Sequence, residues 1–234
     1  MSDKPGKLVI LTGAGISAES GLQTFRDANG LWEGHRPEDV ATPEAFESNP
    51  EMVHRFYNAR RQKLSEVEPN AGHRVLVELE NYLGDDFLLV TQNVDDLHER
   101  AGSQRVIHLH GELLKKRCAW CGVSGDCDSD LSLADVCPDC GKDEGMRPHI
   151  VWFGEMPFQM EEVFTALSEA DQFWAIGTSG NVYPAAGFVE IAKAAGASTT
   201  EINLDAAVNT AVFDQSIIGP ATETLPALVK TIVP

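Results

Sequence analysis

Apolar runs and amphipathic stretches alternate along the chain, and several of the apolar runs end in glycine, amide or histidine. Leu8–Thr12 is short, apolar and rich in β-formers, and it breaks into Gly13, Ala14 and Gly15. A run of this kind predicts a buried strand that turns sharply into a helix near Ile16, kept short by Gly21. Residues 22–48 read as mostly irregular, with Pro37 and Pro43 as breakers. Asn49 and Pro50 then supply a cap and a first-turn proline for a helix. On that helix Val53, Phe56, Tyr57, Arg60 and Leu64 form one stripe, with Arg55 and Arg61 directed elsewhere. Asn70 caps a further helix over Ala71–Leu83, which Gly84 ends.

The second half repeats the theme. Phe87–Thr91 is a buried strand, followed by the polar segment Gln92–Asp96 and a helix that Gly102 closes. Arg105–His110 alternates like a strand and stops at Gly111. Ile150–Phe153 is another apolar run. Gln172–Ile176 is a strand ending in the small-residue turn Gly177–Gly180. Pro184–Ala195 reads as an alanine-rich helix, Thr199–Leu204 as a strand and Leu225–Ile232 as a terminal helix. The recurrence of strand, turn and helix predicts an α/β fold with a doubly wound parallel sheet.

Composition narrows the functional classes. With 234 residues, 43% of them hydrophobic, the chain is long enough for one large domain or a domain carrying a smaller one. Acidic residues outnumber basic ones 36 to 18, a formal charge of −18, which argues against nucleic acid or an anionic membrane as partner. The opening MSDKPGK has no signal-like apolar core, and no run approaches a membrane span, so the expectation is a soluble, cytoplasmic monomer with no targeting tail. Five cysteines in such a chain point to metal or a reactive thiol before disulfides.

Four of those cysteines are paired as Cys118-x2-Cys121 and Cys137-x2-Cys140, with 15 residues between the pairs and no core pattern around them. Two such knuckles match a structural four-cysteine zinc site, in which each tight turn gives two thiolates to a tetrahedral ion. Cys127 is left as a spare thiol or an alternative ligand. A zinc ribbon can also read nucleic acid, but Asp126, Asp128, Asp130, Asp135 and Asp139 make this one acidic.

Other candidate chemistry lies at strand ends. Gly13-x-Gly15-x-x-Ala18 fits a dinucleotide fingerprint, yet the acidic second strand that should follow about 20 residues on is missing. In open α/β sheets ligands bind at the carboxyl ends of strands, which selects Gln92, Asn93, Asp95 and the turn at Gly177. Asn93 or Asp95 could equally cap the following helix. His110 lies at a strand end with the side chain best suited to proton transfer near neutrality. Arg60 faces apolar surface beside the Tyr57 hydroxyl. It either reaches water or an internal partner, or it binds a ligand carboxylate.

Together these residues resemble the sirtuins, NAD-dependent protein lysine deacylases. The matching stretches are GAGIS at 13–17, TFRDANGLW at 24–32, TQNVDDLHERAG at 91–102, HLHGEL at 108–113, the cysteine knuckles, RPHIVWFGE at 147–155, GTSGNVYPAA at 177–186 and INLD at 202–205. Tyr57 and Arg60 match the Tyr-x-x-Arg pair of the class III branch, whose members remove acidic acyl groups such as succinyl, and bacterial members are the nearest likeness.

The resemblance implies a Rossmann-like large domain with a smaller domain made of a helical insertion and a zinc ribbon. Its parts would be 1–22, 70–112 and 148–234 for NAD binding, 23–69 for cofactor loop and insertion, and 113–147 for the ribbon. It also implies roles. Gly13, Ala14, Gly15 and Ser17 would form the phosphate turn, and Thr24, Phe25, Arg26 and Trp32 a mobile loop over NAD. Gln92, Asn93 and Asp95 would surround the nicotinamide ribose. Gly177, Thr178, Ser179, Asn203, Leu204, Asp205 and Ala221 would hold phosphates and adenosine. His110 would be the general base, with Asn93 also in the catalytic group. Val151, Phe153 and Val182 would line the acyl-lysine channel or the strand-like peptide cleft between the domains, Tyr57 and Arg60 would bind the acyl group, and Cys118, Cys121, Cys137 and Cys140 would bind zinc.

The implied reaction consumes NAD. The acyl oxygen attacks C1′ of the ribose, nicotinamide leaves, and His110 activates a ribose hydroxyl, giving free lysine and O-acyl-ADP-ribose. Mono-ADP-ribosyl transfer and a non-catalytic NAD-sensing module are the competing expectations.

Overall fold

The computed structural model describes residues 5–24, 32 and 34–234. The chain opens with β1 (Leu8–Thr12), buried along its whole length, and passes directly into a short helix, α1 (Ala14–Ala18). The helix begins two residues before the expected Ile16, because Gly13 bends the chain immediately after the strand.

The stretch read as irregular contains two short helices, α2 (Pro37–Val40) and α3 (Pro43–Ser48). Pro37 and Pro43 start them instead of breaking structure. At the first helical position a proline lacks only an N–H that would have no partner there anyway. Thr42 caps α3 by accepting from the Ala45 N–H at 3.0 Å. α4 (Pro50–Leu64) follows with Asn49 as its cap, accepting from Met52 N–H at 3.1 Å. α5 (Ala71–Leu83) is capped by Asn70 as expected.

β2 (Phe87–Thr91), α6 (Leu97–Ala101) and β3 (Val106–His108) come next. Then β4 (Gly111–Cys118), β5 (Ser124–Asp126) and β6 (Met146–Ile150) form a separate antiparallel sheet in the order β5-β4-β6. The chain ends with α7 (Met160–Ser168), β7 (Gln172–Ile176), α8 (Phe188–Ala194), β8 (Ser198–Asn203), β9 (Gln215–Ile218) and α9 (Ala221–Val229).

The six-stranded sheet runs β3-β2-β1-β7-β8-β9, and every neighbouring pair is parallel. Both faces are covered, as a parallel sheet requires. Leu8, Ile10, Phe87, Leu89 and Trp174 pack under α5 and α9, while Val9, Leu11, Val90, Phe173 and Ala175 pack under α7 and α8. The strand order reverses beside β1, whose neighbours are β2 and β7. The crevice outside the carboxyl ends of these strands is where such sheets bind ligands.

A third core joins the helical segment to the small sheet. Val40, Val53, Phe56, Tyr57 and Leu64 pack with Leu113, Ile150 and Trp152. The predicted stripe of α4 is therefore buried, with Arg60 half-buried on it. Arg61 departs from expectation. It is buried too, because β4 and the loop around Leu131 cover that side of the helix; it donates to Leu113 O at 3.3 Å and to Asn58 Oδ1. No helix among the described residues is long and apolar enough to cross a membrane.

Candidate functional site

The turns after β1 and β7 interlock through glycine. Gly13 N–H donates to Ile176 O and Gly15 N–H to Gly177 O, each at 2.9 Å. A Cβ on Gly15 would lie 2.6 Å from Gly177 Cα, and one on Gly13 2.8 Å from Gly177 O. Gly177 itself has a φ of 63°. Only glycine permits two backbones this close, and the result is an open, backbone-lined cradle suited to phosphate. Beside it Thr178 O accepts from Asn203 Nδ2 at 2.7 Å, tying the end of β8 to the turn. Ser179 O accepts from Val208 N–H at 3.2 Å. Leu204 and Asp205 are exposed just beyond β8, and Ala221 opens α9. The cradle fits an extended, phosphate-bearing cofactor such as NAD.

The end of β2 reaches the same cradle. Asn93 is buried and donates from Nδ2 to Gly13 O at 3.2 Å and to Ser17 Oγ at 3.1 Å. Ser17 Oγ in turn donates to Asp95 Oδ2 at 3.1 Å. Asp95 Oδ1 accepts from Leu97 N–H, the first of α6, at 3.2 Å, while the N-cap position itself is Asp96, without a side-chain cap bond, so neither Asn93 nor Asp95 is the cap residue. Burial pushes the Asp95 carboxyl above its ordinary range, opposed by the Leu97 and Ser17 hydrogen bonds. Behind this row the buried rings of His73 and His98 stand 4.9 Å apart, and burial drives the His73 pKa down to about 4.

His110 sits in the turn between β3 and β4. Its Nδ1 is 3.0 Å from Gln92 O. A carbonyl only accepts, so Nδ1 carries the hydrogen and Nε2 is the basic nitrogen. Burial lowers the pKa of His110, partly offset by the Gln92 bond, so the ring is neutral at neutral pH. His108 differs. Its Nε2 is 2.6 Å from Glu99 Oε1 and its Nδ1 3.3 Å from Asn93 O, two acceptors that require both nitrogens to donate. Burial lowers its pKa, but the Glu99 bond and charge outweigh this and the net shift is upward. The partnership with Glu99 was not visible in the sequence.

A second group lies on the helical side. Tyr57 is fully buried, its hydroxyl accepts from Trp152 Nε1 at 3.0 Å, and burial pushes its pKa up to about 12. The Arg60 guanidinium carbon stands 4.2 Å from the centre of the Trp32 ring. Trp32 is edge-on to Phe56 at 5.1 Å and to Tyr57 at 6.4 Å. Trp32 thus packs against Tyr57 and Arg60, the candidate acyl residues. Val151 N–H donates to His110 O at 2.9 Å, which links this group to the histidine. Phe153 is exposed nearby, and Val182 lines a small cavity with Gln92 and Thr178. Thr24 is half-buried, and Phe25 and Arg26 lie outside the described residues.

The Sγ atoms of Cys118, Cys121, Cys137 and Cys140 all lie within 4.8 Å of one another. Cys118 and Cys140 are 3.8 Å apart and Cys121 and Cys137 3.6 Å. Tetrahedral zinc with Zn–S bonds of about 2.3 Å needs sulfur–sulfur edges of about 3.8 Å, so the set fits one zinc ion. Cys127 is buried apart from them and donates to Ser129 O at 3.3 Å. The ligand swap to Cys127 is therefore not what this arrangement supports.

A profile of the Sir2 family matches residues 13–184. An NAD-dependent protein deacylase of Escherichia coli K12 is 55% identical over 233 residues, 99% of this chain and 83% of the relative. One of Pasteurella multocida is 56% identical over 225 residues, 95% of this chain and 96% of the relative. A crystal structure of a Sir2 homologue with NAD matches at a TM-score of 0.88 and 43% identity, covering 97% of this chain and 89% of the other. A Sir2 complex with p53 peptide and NAD matches at 0.81 and 30% identity, covering 96% and 92%.

Proposed function

The chain belongs to the Sir2 family and is an NAD-dependent protein deacylase, and from that premise we propose that it removes both acetyl and acidic acyl groups, succinyl or malonyl, from protein lysines. The observation that carries the chemistry is the fixed tautomer of His110, with Nδ1 committed to Gln92 O and Nε2 available as a base.

Bound NAD supplies an electrophilic ribose carbon and is consumed, with O-acyl-ADP-ribose and nicotinamide as products. Every other part of the reading concerns this chain's residues. Gly13, Ala14, Gly15, Gly177, Thr178 and Ser179 cradle phosphates. Asn203, Leu204, Asp205 and Ala221 hold the adenosine. Asn93, Ser17 and Asp95 form one hydrogen-bonded row that orients the nicotinamide ribose. His110 takes a proton at Nε2 from a ribose hydroxyl, a transfer favoured by a neutral ring at neutral pH. Tyr57 and Arg60 bind the far carboxylate of an acidic acyl group, a charge-assisted pairing in buried surroundings. Cys118, Cys121, Cys137 and Cys140 would hold one zinc ion, whose role would be structural. The formal charge of −18 supports protein substrates over nucleic acid.

The test is NAD turnover on peptides of one sequence bearing acetyl-, succinyl- or malonyl-lysine, with products read by mass spectrometry. The reading expects O-acyl-ADP-ribose from all three. ADP-ribose attached to protein would favour a mono-ADP-ribosyltransferase, and NAD binding without nicotinamide release would favour a non-catalytic sensor.

A further inference from the structure

Trp152 is buried between Tyr57 and a cluster of charges. Its backbone N–H donates to Glu155 Oε2 at 2.8 Å, and the guanidinium carbon of Arg147 lies 3.3 Å from the centre of its ring. Arg147 grips Glu155 with two bonds, Nη1 to Oε1 at 2.7 Å and Nη2 to Oε2 at 2.9 Å. Arg117 donates from Nη2 to both oxygens, at 2.9 Å and 3.0 Å. A backbone bond and a cation–π stack therefore fix the plane of the indole. Two arginines against one glutamate also leave a net positive charge behind it.

The fixed indole directs Nε1–H onto the Tyr57 oxygen at 3.0 Å. An indole N–H only donates, so the Tyr57 oxygen is the acceptor there and its own hydrogen must go elsewhere. Among the described residues Trp152 is the hydroxyl's one hydrogen-bond partner, and Tyr57 is fully buried. A buried O–H without an acceptor is costly, and the carboxylate of an acidic acyl group would supply one. An acetyl group would not.

We propose that Trp152 is a positioning residue for acyl specificity: its indole N–H commits the Tyr57 hydrogen to the carboxylate of an acidic acyl group, and Arg147 and Glu155 hold the indole in place. This rests on the reading of Tyr57 and Arg60 as the carboxylate site.

The test compares kcat and KM on acetyl- and succinyl-lysine peptides for the wild type, Trp152→Phe, Tyr57→Phe and the double variant. Trp152→Phe keeps an aromatic ring over Arg147 and removes the N–H. It is expected to lower succinyl kcat/KM about tenfold, mostly through KM, and to leave acetyl within about twofold. In the double variant the succinyl-to-acetyl ratio should equal that of Tyr57→Phe alone, because Trp152 acts through the hydroxyl. Equal losses on both peptides, or a double variant whose ratio falls by the product of the singles, would overturn the proposal. If Trp152→Phe does not fold, benzothienylalanine at position 152 keeps the indole shape without the N–H and should give the same result. A wild type without desuccinylation, or a Tyr57→Phe variant with an unchanged ratio, overturns the carboxylate-site reading itself. A loss confined to Tyr57→Phe overturns only the role of Trp152.

Discussion

His108 and His110 stand two residues apart and their pKa values shift in opposite directions: burial lowers both, but the Glu99 bond and charge outweigh it at His108. Gln92 O occupies only one nitrogen of His110, whereas Asn93 O and Glu99 occupy both nitrogens of His108. The sign of the His110 shift makes a prediction. Its pKa is lowered, by burial first, so the basic form persists as pH falls below the ordinary histidine value of about 6.5. The acid limb of kcat/KM should then have its midpoint below about 6.5, and a midpoint at or above that value would count against His110 as the base. His110→Tyr should abolish nicotinamide release while the melting temperature stays near wild type; substantial remaining turnover would remove it from the chemistry. The histidine was legible from its position before Gly111. Its tautomer was not, since that depends on a carbonyl 18 residues earlier in the chain.

At the scale of elements, the glycine turn is specified by contact between two turns far apart in sequence. Gly15→Ala would place a methyl group 2.6 Å from Gly177 Cα. The strain expected from such overpacking is about 1–3 kcal/mol, and NAD affinity measured by calorimetry should fall about tenfold or more. Unchanged affinity would mean that the cradle is not the phosphate site. The fingerprint itself was readable, as were Asn49, Asn70 and Gly102 as helix boundaries. Pro37 and Pro43 misled because a first-turn proline and a breaker look alike without the following turn. β4 and β5 show no apolar period in the sequence because β5 is exposed throughout and β4 is mostly partly exposed, with the four thiols clustered at the end of the small sheet. The knuckle spacing nevertheless gave the ligand set. Metal analysis should find one zinc per chain in the wild type and in Cys127→Ser, and loss of zinc in Cys137→Ser; loss in Cys127→Ser would return Cys127 to the ligand set.

At the scale of the whole molecule, the parallel sheet carries the interlocked glycine turns and α4 carries Tyr57 and Arg60. Trp152 and Val151, just beyond β6, join them. Tyr57 and Arg60 were legible as polar groups on an apolar stripe, but the aromatic walls of Trp32 and Trp152 come from remote segments that no local pattern connects. Selection of acidic acyl groups by that side of the molecule is the central expectation. Truncating one partner of a buried charge pair costs roughly 2–5 kcal/mol, about thirtyfold to several thousandfold in rate. The most direct measurement is nicotinamide release by Arg60→Met on matched acetyl- and succinyl-lysine peptides. Succinyl turnover should fall by at least about thirtyfold with acetyl turnover largely spared, and equal losses on the two would contradict the account.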